Sequence, residues 1–142
     1  MKIRREIEML FKPHKDLYEF FTKDERERWA NYLRETDLKQ CNATMSDGQD
    51  TACCLMVWEV YERNNGEWFN PIGTYDDETE IAGLPSNMME NTILKSGVLP
   101  ESVNIASSDE LDSITPAVLN DHHGFTFSEI ADILEGKEVI KS

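Results

Sequence analysis

The sequence has no apolar run of the roughly 18 or more residues that a membrane-crossing helix takes. Its first residues, "MKIRREIEML", mix charge with apolar side chains where a secretory leader has an unbroken apolar stretch. The expectation is a chain that neither spans a membrane nor is exported by such a leader, and so acts in the cytoplasm. Cysteine is scarce. Cys41, Cys53 and Cys54 are odd in number and two are adjacent, a poor disulfide framework that suits a reducing compartment. The glycine patterns of a P-loop or Rossmann turn are missing, as are HExxH and CxxC, so the sequence implies no cofactor and no metal. Basic residues run out early: residues 1–40 hold ten of the 14 Lys and Arg against nine of the 28 Asp and Glu, and the rest of the chain holds four against nineteen. Because affinity for a nucleic-acid backbone comes largely from Lys and Arg displacing counterions, that second part is excluded as a direct nucleic-acid binder.

What is present is enough to build a core. The 142 residues are 39% hydrophobic and include Trp29, Trp58 and Trp68, which suits one domain over 1–142 that needs neither disulfide nor metal to fold. Patterning predicts an α+β domain with N-terminal helices, a small antiparallel sheet built on a hairpin at about 53–70, and C-terminal helices. Ile3, Ile7, Leu10 and Phe11 fall at helical spacing and are stopped by Pro13. Thr22 and Glu25 form a capping box ahead of Trp29, Tyr32 and Leu33 on one face. The polar stretch 41–52 reads as a loop. "CCLMVWEVYERNNG" combines β-branched and aromatic residues with Asn65-Gly66, which predicts a strand and a tight turn. Cys54 is then a small core residue and not a nucleophile, since no basic neighbour on the same strand lowers its pKa. Met88, Met89, Ile93 and Leu94 predict a further short helix closed near Gly97 and Pro100. The residues expected to be buried are Trp29, Leu33, Met56, Trp58, Phe127, Ile130 and Leu134.

Two groups of residues are candidates for function. The first is acidic: Asp76, Asp77, Glu78 and Glu80 in one run and Asp109, Glu110 and Asp112 in another. Gly83 falls too late for the first run to be an EF-hand loop. Both runs are either solvated surface or a face that docks on the basic patch of a partner. The second is "LNDHHGFTFSEIADIL", residues 119–134, which has three readings: an Asp-His-His ligand or catalytic cluster, the first helix of a helix-turn-helix, or a turn that starts the last packed helix. Adjacent His122 and His123 do not both reach one ion from regular structure. Only "EGKEVIKS" follows, too little for a recognition helix. Thr126 and Glu129 make a second capping box ahead of Phe127, Ile130, Ala131 and Leu134, which favours the packed-helix reading.

Taken together, "ERWANYLRETDLKQ" (27–40), "CCLMVW" (53–58) and "LNDHHGFTFSEIADILE" (119–135) resemble three segments of a group of small uncharacterised bacteriophage and prophage proteins. In that group a Trp-containing helix ends in Leu-Arg with a following Gln, a "CCLG"-like strand comes next, and the chain closes on "LND", a Gly and "SFxEIADxIE". Here Met56 stands for the usual Gly, the histidine pair lengthens the turn, and Thr126 stands for Ser. The resemblance implies a phage-encoded accessory protein working in the bacterial cytoplasm, and it brings no enzymatic activity. The expectation is non-enzymatic binding to a bacterial host protein, one with a basic surface if the acidic face is used. The alternative is a small-ligand or nucleotide site, with hydrolysis as an option, around Asn120, Asp121, His122 and His123, with Asp132 as a nearby partner. No catalytic residue is assigned, and the oligomeric state is not legible.

Overall fold

The structure, a computed structural model, describes residues 8–42, 46–48, 50–68 and 103–141. In chain order its elements are β1 (Met9–Pro13), α1 (Lys15–Phe20), α2 (Lys23–Glu35), β2 (Lys39–Gln40), β3 (Thr51–Ala52), α3 (Cys54–Arg63), β4 (Ala106–Ser108), α4 (Pro116–Asp121), α5 (Phe127–Leu134) and β5 (Val139–Lys141). An antiparallel sheet has the order β4-β1-β5, and β2 pairs with β3 in a separate two-stranded parallel ladder. The protein is α+β with a small antiparallel sheet and helices near the end, as its patterning predicts, but a strand, β1, precedes its first described helix.

The sheet, however, is not where the sequence suggests. Residues 53–70 form no hairpin, because Cys54–Arg63 is a helix. Every residue from Cys54 to Val60 is buried, Glu59 included, so the segment has no solvent-facing side to give it the one-sided 3.6-residue pattern of a surface helix. A short apolar run of this kind reads equally well as a central strand. Asn65 and Gly66 do take positive φ, 56° and 84°, but they end the helix instead of joining two strands. The Asn64 and Gly66 N–H groups both donate to the Val60 carbonyl at 3.0 Å, closing the last turn on a left-handed glycine.

The second correction is at Leu10 and Phe11, which lie in β1 and not in a helix. Leu10 pairs with Ile140 and Lys12 with Ser107, and Phe11 is fully buried. Helical spacing of four apolar residues cannot register strand partners supplied by the far end of the chain. Ile3 and Ile7 lie outside the described residues, as do the acidic run 76–80 and the segment 88–100.

The core forms where α2, α3, α4 and α5 pack together beneath the sheet. Trp29, Leu33, Met56, Trp58, Phe127, Ile130 and Leu134 are all buried, as expected, each contributing roughly 1.5–3 kcal/mol of transfer free energy for a side chain of Leu, Ile or Phe size. Burying Trp29 leaves its indole N–H in need of an acceptor; the Cys54 carbonyl takes it at 3.0 Å, which fixes α2 against the start of α3. Both capping boxes form. Glu25 N–H donates to Thr22 Oγ1 at 3.0 Å and Thr22 N–H to Glu25 Oε1 at 2.9 Å, and the Thr126–Glu129 pair repeats this at 3.2 and 2.9 Å. A row of rings, Phe21, Trp29, Trp58, Tyr32 and Tyr61, runs between α2 and α3 with successive centroids 5.2 to 6.0 Å apart.

Candidate functional site

Residues 119–127 turn the chain from α4 into α5. Thr115 caps α4 and Pro116 opens it, where a missing N–H costs nothing. At its end the His122 and His123 N–H groups both donate to the Val118 carbonyl, at 2.9 and 3.2 Å, and Phe125 N–H reaches the Leu119 carbonyl at 3.1 Å. Gly124, at φ +67°, supplies the left-handed step between them.

Asn120 is 1% exposed and its amide is fully engaged. Nδ2 donates to the Cys41 carbonyl and to Asp121 Oδ1, both at 2.8 Å, and Oδ1 accepts from Gln40 Nε2 at 2.8 Å. The Gln40 amide continues the network: Nε2 also donates to the Phe125 carbonyl at 2.7 Å, and Oε1 accepts the Phe127 N–H at 3.1 Å. Gln40 therefore uses one side chain to satisfy backbone groups on both sides of the turn, tying β2 to the start of α5.

Of the four residues of the ligand reading, Asn120 and Asp121 are joined by a 2.8 Å hydrogen bond, and the two histidines sit in different surroundings. Asn120 faces β2. His123 lies edge-on to Phe11 with ring centroids 5.1 Å apart, and burial, followed by the charge of His122, lowers its pKa. His122 is exposed. Asp132 points elsewhere: with Glu135 it holds Arg34 of α2. Among the described residues no group of three or more His, Cys, Asp or Glu is placed to hold a metal ion. The three cysteines are buried. Burial pushes the Cys53 thiol up to about 12 and Cys54 well above its ordinary value, and the Cys54 thiol contacts the Pro116 carbonyl at 3.6 Å. These are core side chains in which burial disfavours the thiolate.

Asp109, Glu110 and Asp112 are exposed on a tight turn between β4 and Ile114, which bridges back to Ala106. Ser108 holds that turn: its N–H donates to the Leu111 carbonyl at 2.7 Å, and its Oγ accepts from the Glu110 and Leu111 N–H groups at 3.3 and 3.1 Å. Leu111, amid the three acids, is 40% exposed.

Two clefts are formed among the described residues. One of about 440 Å³ is lined by Tyr18, Lys23, Arg26, Glu27, Asn31 and Glu135; most of its charges are paired, while Arg26 keeps a buried Nε without a hydrogen-bond partner among the described residues. Lys23 meets Glu27 at 3.8 Å, Glu135 holds Arg34 and Lys137, and Arg26 lies over the Tyr18 ring while donating to the Leu134 carbonyl. The other, of about 380 Å³, is lined by Asp37, Leu38, Lys39, Asp50, Tyr61, Gly66 and Trp68. Sequence reasoning missed it because its residues come from three separate segments and carry no motif.

The fold and these contacts define an α+β protein in which the three singled-out segments meet in space and hold one another: Trp29 on Cys54, Gln40 on Asn120, Arg34 on Asp132 and Glu135. The chain belongs to the family described as "Domain of unknown function (DUF8296)", which matches residues 22–138. That span takes in α2 to α5 and leaves β1 and β5 outside. No curated protein and no solved structure matches the chain.

Proposed function

We propose that the chain is a small acidic accessory protein of phage type that acts by non-enzymatic binding to a bacterial host protein with a basic surface, in the host cytoplasm. The observation that carries this reading is the 109–112 turn. Three exposed carboxylates surround a half-exposed leucine, on a backbone already fixed by Ser108, and among the described residues none of the three acids makes an ion pair. A preordered tip of this kind loses little conformational entropy on docking. The surplus of acids after residue 40 steers it toward positive partners.

The test is capture from bacterial lysate with the wild-type chain and with D109N/E110Q/D112N, each at low and high salt. A specific partner held by the wild type, released by salt because exposed charges are screened beyond about 8 to 10 Å, and not held by the variant supports the reading. Equal capture by both chains sinks it. The second reading, a ligand or hydrolytic site on Asn120, Asp121, His122 and His123, has less support, because Asn120 is consumed by Cys41 and Gln40 and His123 packs on Phe11. A folded H122A chain that still captures the partner but has lost its effect in the host would restore it.

A further inference from the structure

We propose that the cleft between β2, β3 and the end of α3 binds a free basic α-amino acid of the arginine or lysine type. The volume of about 380 Å³ lies within the range of small-ligand sites, roughly 300–1,000 Å³. Its walls are ordered. Tyr61 stacks on Tyr32 at 5.2 Å and donates from its hydroxyl to Thr36 Oγ1 at 2.9 Å. Trp68 is held by its indole N–H, which reaches the Thr51 carbonyl at 3.0 Å and Ser46 Oγ at 3.3 Å. Both rings are thus pinned from behind by groups outside the cleft.

The charges at the rim are of a different kind from those around the larger cleft. Among the described residues Asp37, Lys39 and Asp50 make no ion pair, and they set two carboxylates and one ammonium beside the aromatic walls. Asp50 holds its place in a left-handed backbone, φ 64°, with its carbonyl accepting the Lys39 N–H at 2.9 Å; Asp is one of the few residues that tolerates this conformation. The complement of two carboxylates and one ammonium is a ligand with two cationic groups and one anionic group, which describes a basic α-amino acid. Its α-ammonium and side-chain cation meet Asp37 and Asp50, its carboxylate meets Lys39, and its methylene stem runs along Leu38, Tyr61 and Trp68, where the rings also attract the cation.

The inference is independent of partner binding at residues 109–112, and D109N/E110Q/D112N serves as a control that leaves it unchanged. The test is calorimetric titration of the full chain with arginine, lysine, citrulline, a neutral isostere of arginine, and agmatine, which lacks the carboxylate, with tryptophan emission as a second readout. The expected result is saturable arginine binding with Kd of about 1 mM or tighter. Citrulline binds at least about tenfold more weakly, and D37N/D50N weakens arginine by the same factor or more. K39M weakens arginine but leaves agmatine unchanged. All three positions are exposed, so the variants fold, and circular dichroism checks that they do. No saturable heat or emission change with arginine or lysine up to about 10 mM, citrulline binding as tightly as arginine, or D37N/D50N binding like the wild type would each overturn the proposal.

Discussion

Asn120 has more at stake than either histidine beside it. Its amide serves the Cys41 carbonyl, Asp121 and Gln40 at once inside the core, so Asn120→Ala leaves a carbonyl and part of an amide buried without partners. The expected cost is about 1–3 kcal/mol, read by urea unfolding with an unchanged slope. His122→Ala, at an exposed position, stays within about 0.5 kcal/mol of the wild type. If the two variants unfold at the same urea concentration, the network is not structural. Thr126→Ala removes the cap of α5 and costs about 0.5–2 kcal/mol, and Phe127→Ala, a core truncation, about 3–5 kcal/mol. The cysteines give a chemical check on the same core. With all three buried and the Cys53 thiol pushed up to about 12, a thiol reagent at neutral pH labels them only as fast as the chain opens. Rapid labelling of the native protein contradicts the packing.

At the level of elements, α2 and α5 are joined by an electrostatic clamp with a calculable pH response. The Arg34 hydrogen bond, with further help from Lys137, outweighs burial and holds the Glu135 carboxyl below its ordinary 4.5. Glu129 is also held low: burial raises it, but the Lys141 contact at 2.8 Å and the capping bond to Thr126 prevail. Both folded values lie below the unfolded one. The stability they contribute is therefore fully present above about pH 4.5 and is lost as pH falls through the lowered folded values. Arg34→Met costs up to about 1 kcal/mol at neutral pH and flattens the loss of stability below pH 4.5, which thermal unfolding across pH 2.5 to 6 (about this span covers the window) measures. An unchanged pH profile rules the clamp out. The elements differ in how far the sequence discloses them. Capping boxes were legible because Thr22–Glu25 and Thr126–Glu129 act within one turn. Helix α3 was not, because Cys54 to Val60 are buried on every side and the period that separates helix from strand vanishes. Strand β1 was not, because its partners Ser107 and Ile140 are set by the fold. The aromatic cleft was hidden for the same reason, whereas the exposed acids at 109–112 stood out as a cluster in one stretch.

For the whole molecule, charge and topology set the behaviour. With a formal net charge of −14, the protein is expected to give no gel shift with duplex DNA at physiological salt; a shift at micromolar protein contradicts the excess of acids as the governing feature. The sheet has a further consequence. Its middle strand, β1, is flanked by β4 on one side and β5 on the other, so the first of the described strands to be made has to wait for both neighbours, and the second of these is the last described element. Until then the edge of β1 at Leu10 has no Ile140 to pair with, and an unpaired apolar strand edge recruits other chains. Completion of this sheet therefore waits on β5, and its long-range pairing places refolding in the slower millisecond-to-second regime. Deleting residues 139–142 freezes the molecule in that waiting state. The deletion is expected to raise light scattering at concentrations where the intact chain stays clear, and a clear, cooperatively melting product would show that β5 is dispensable.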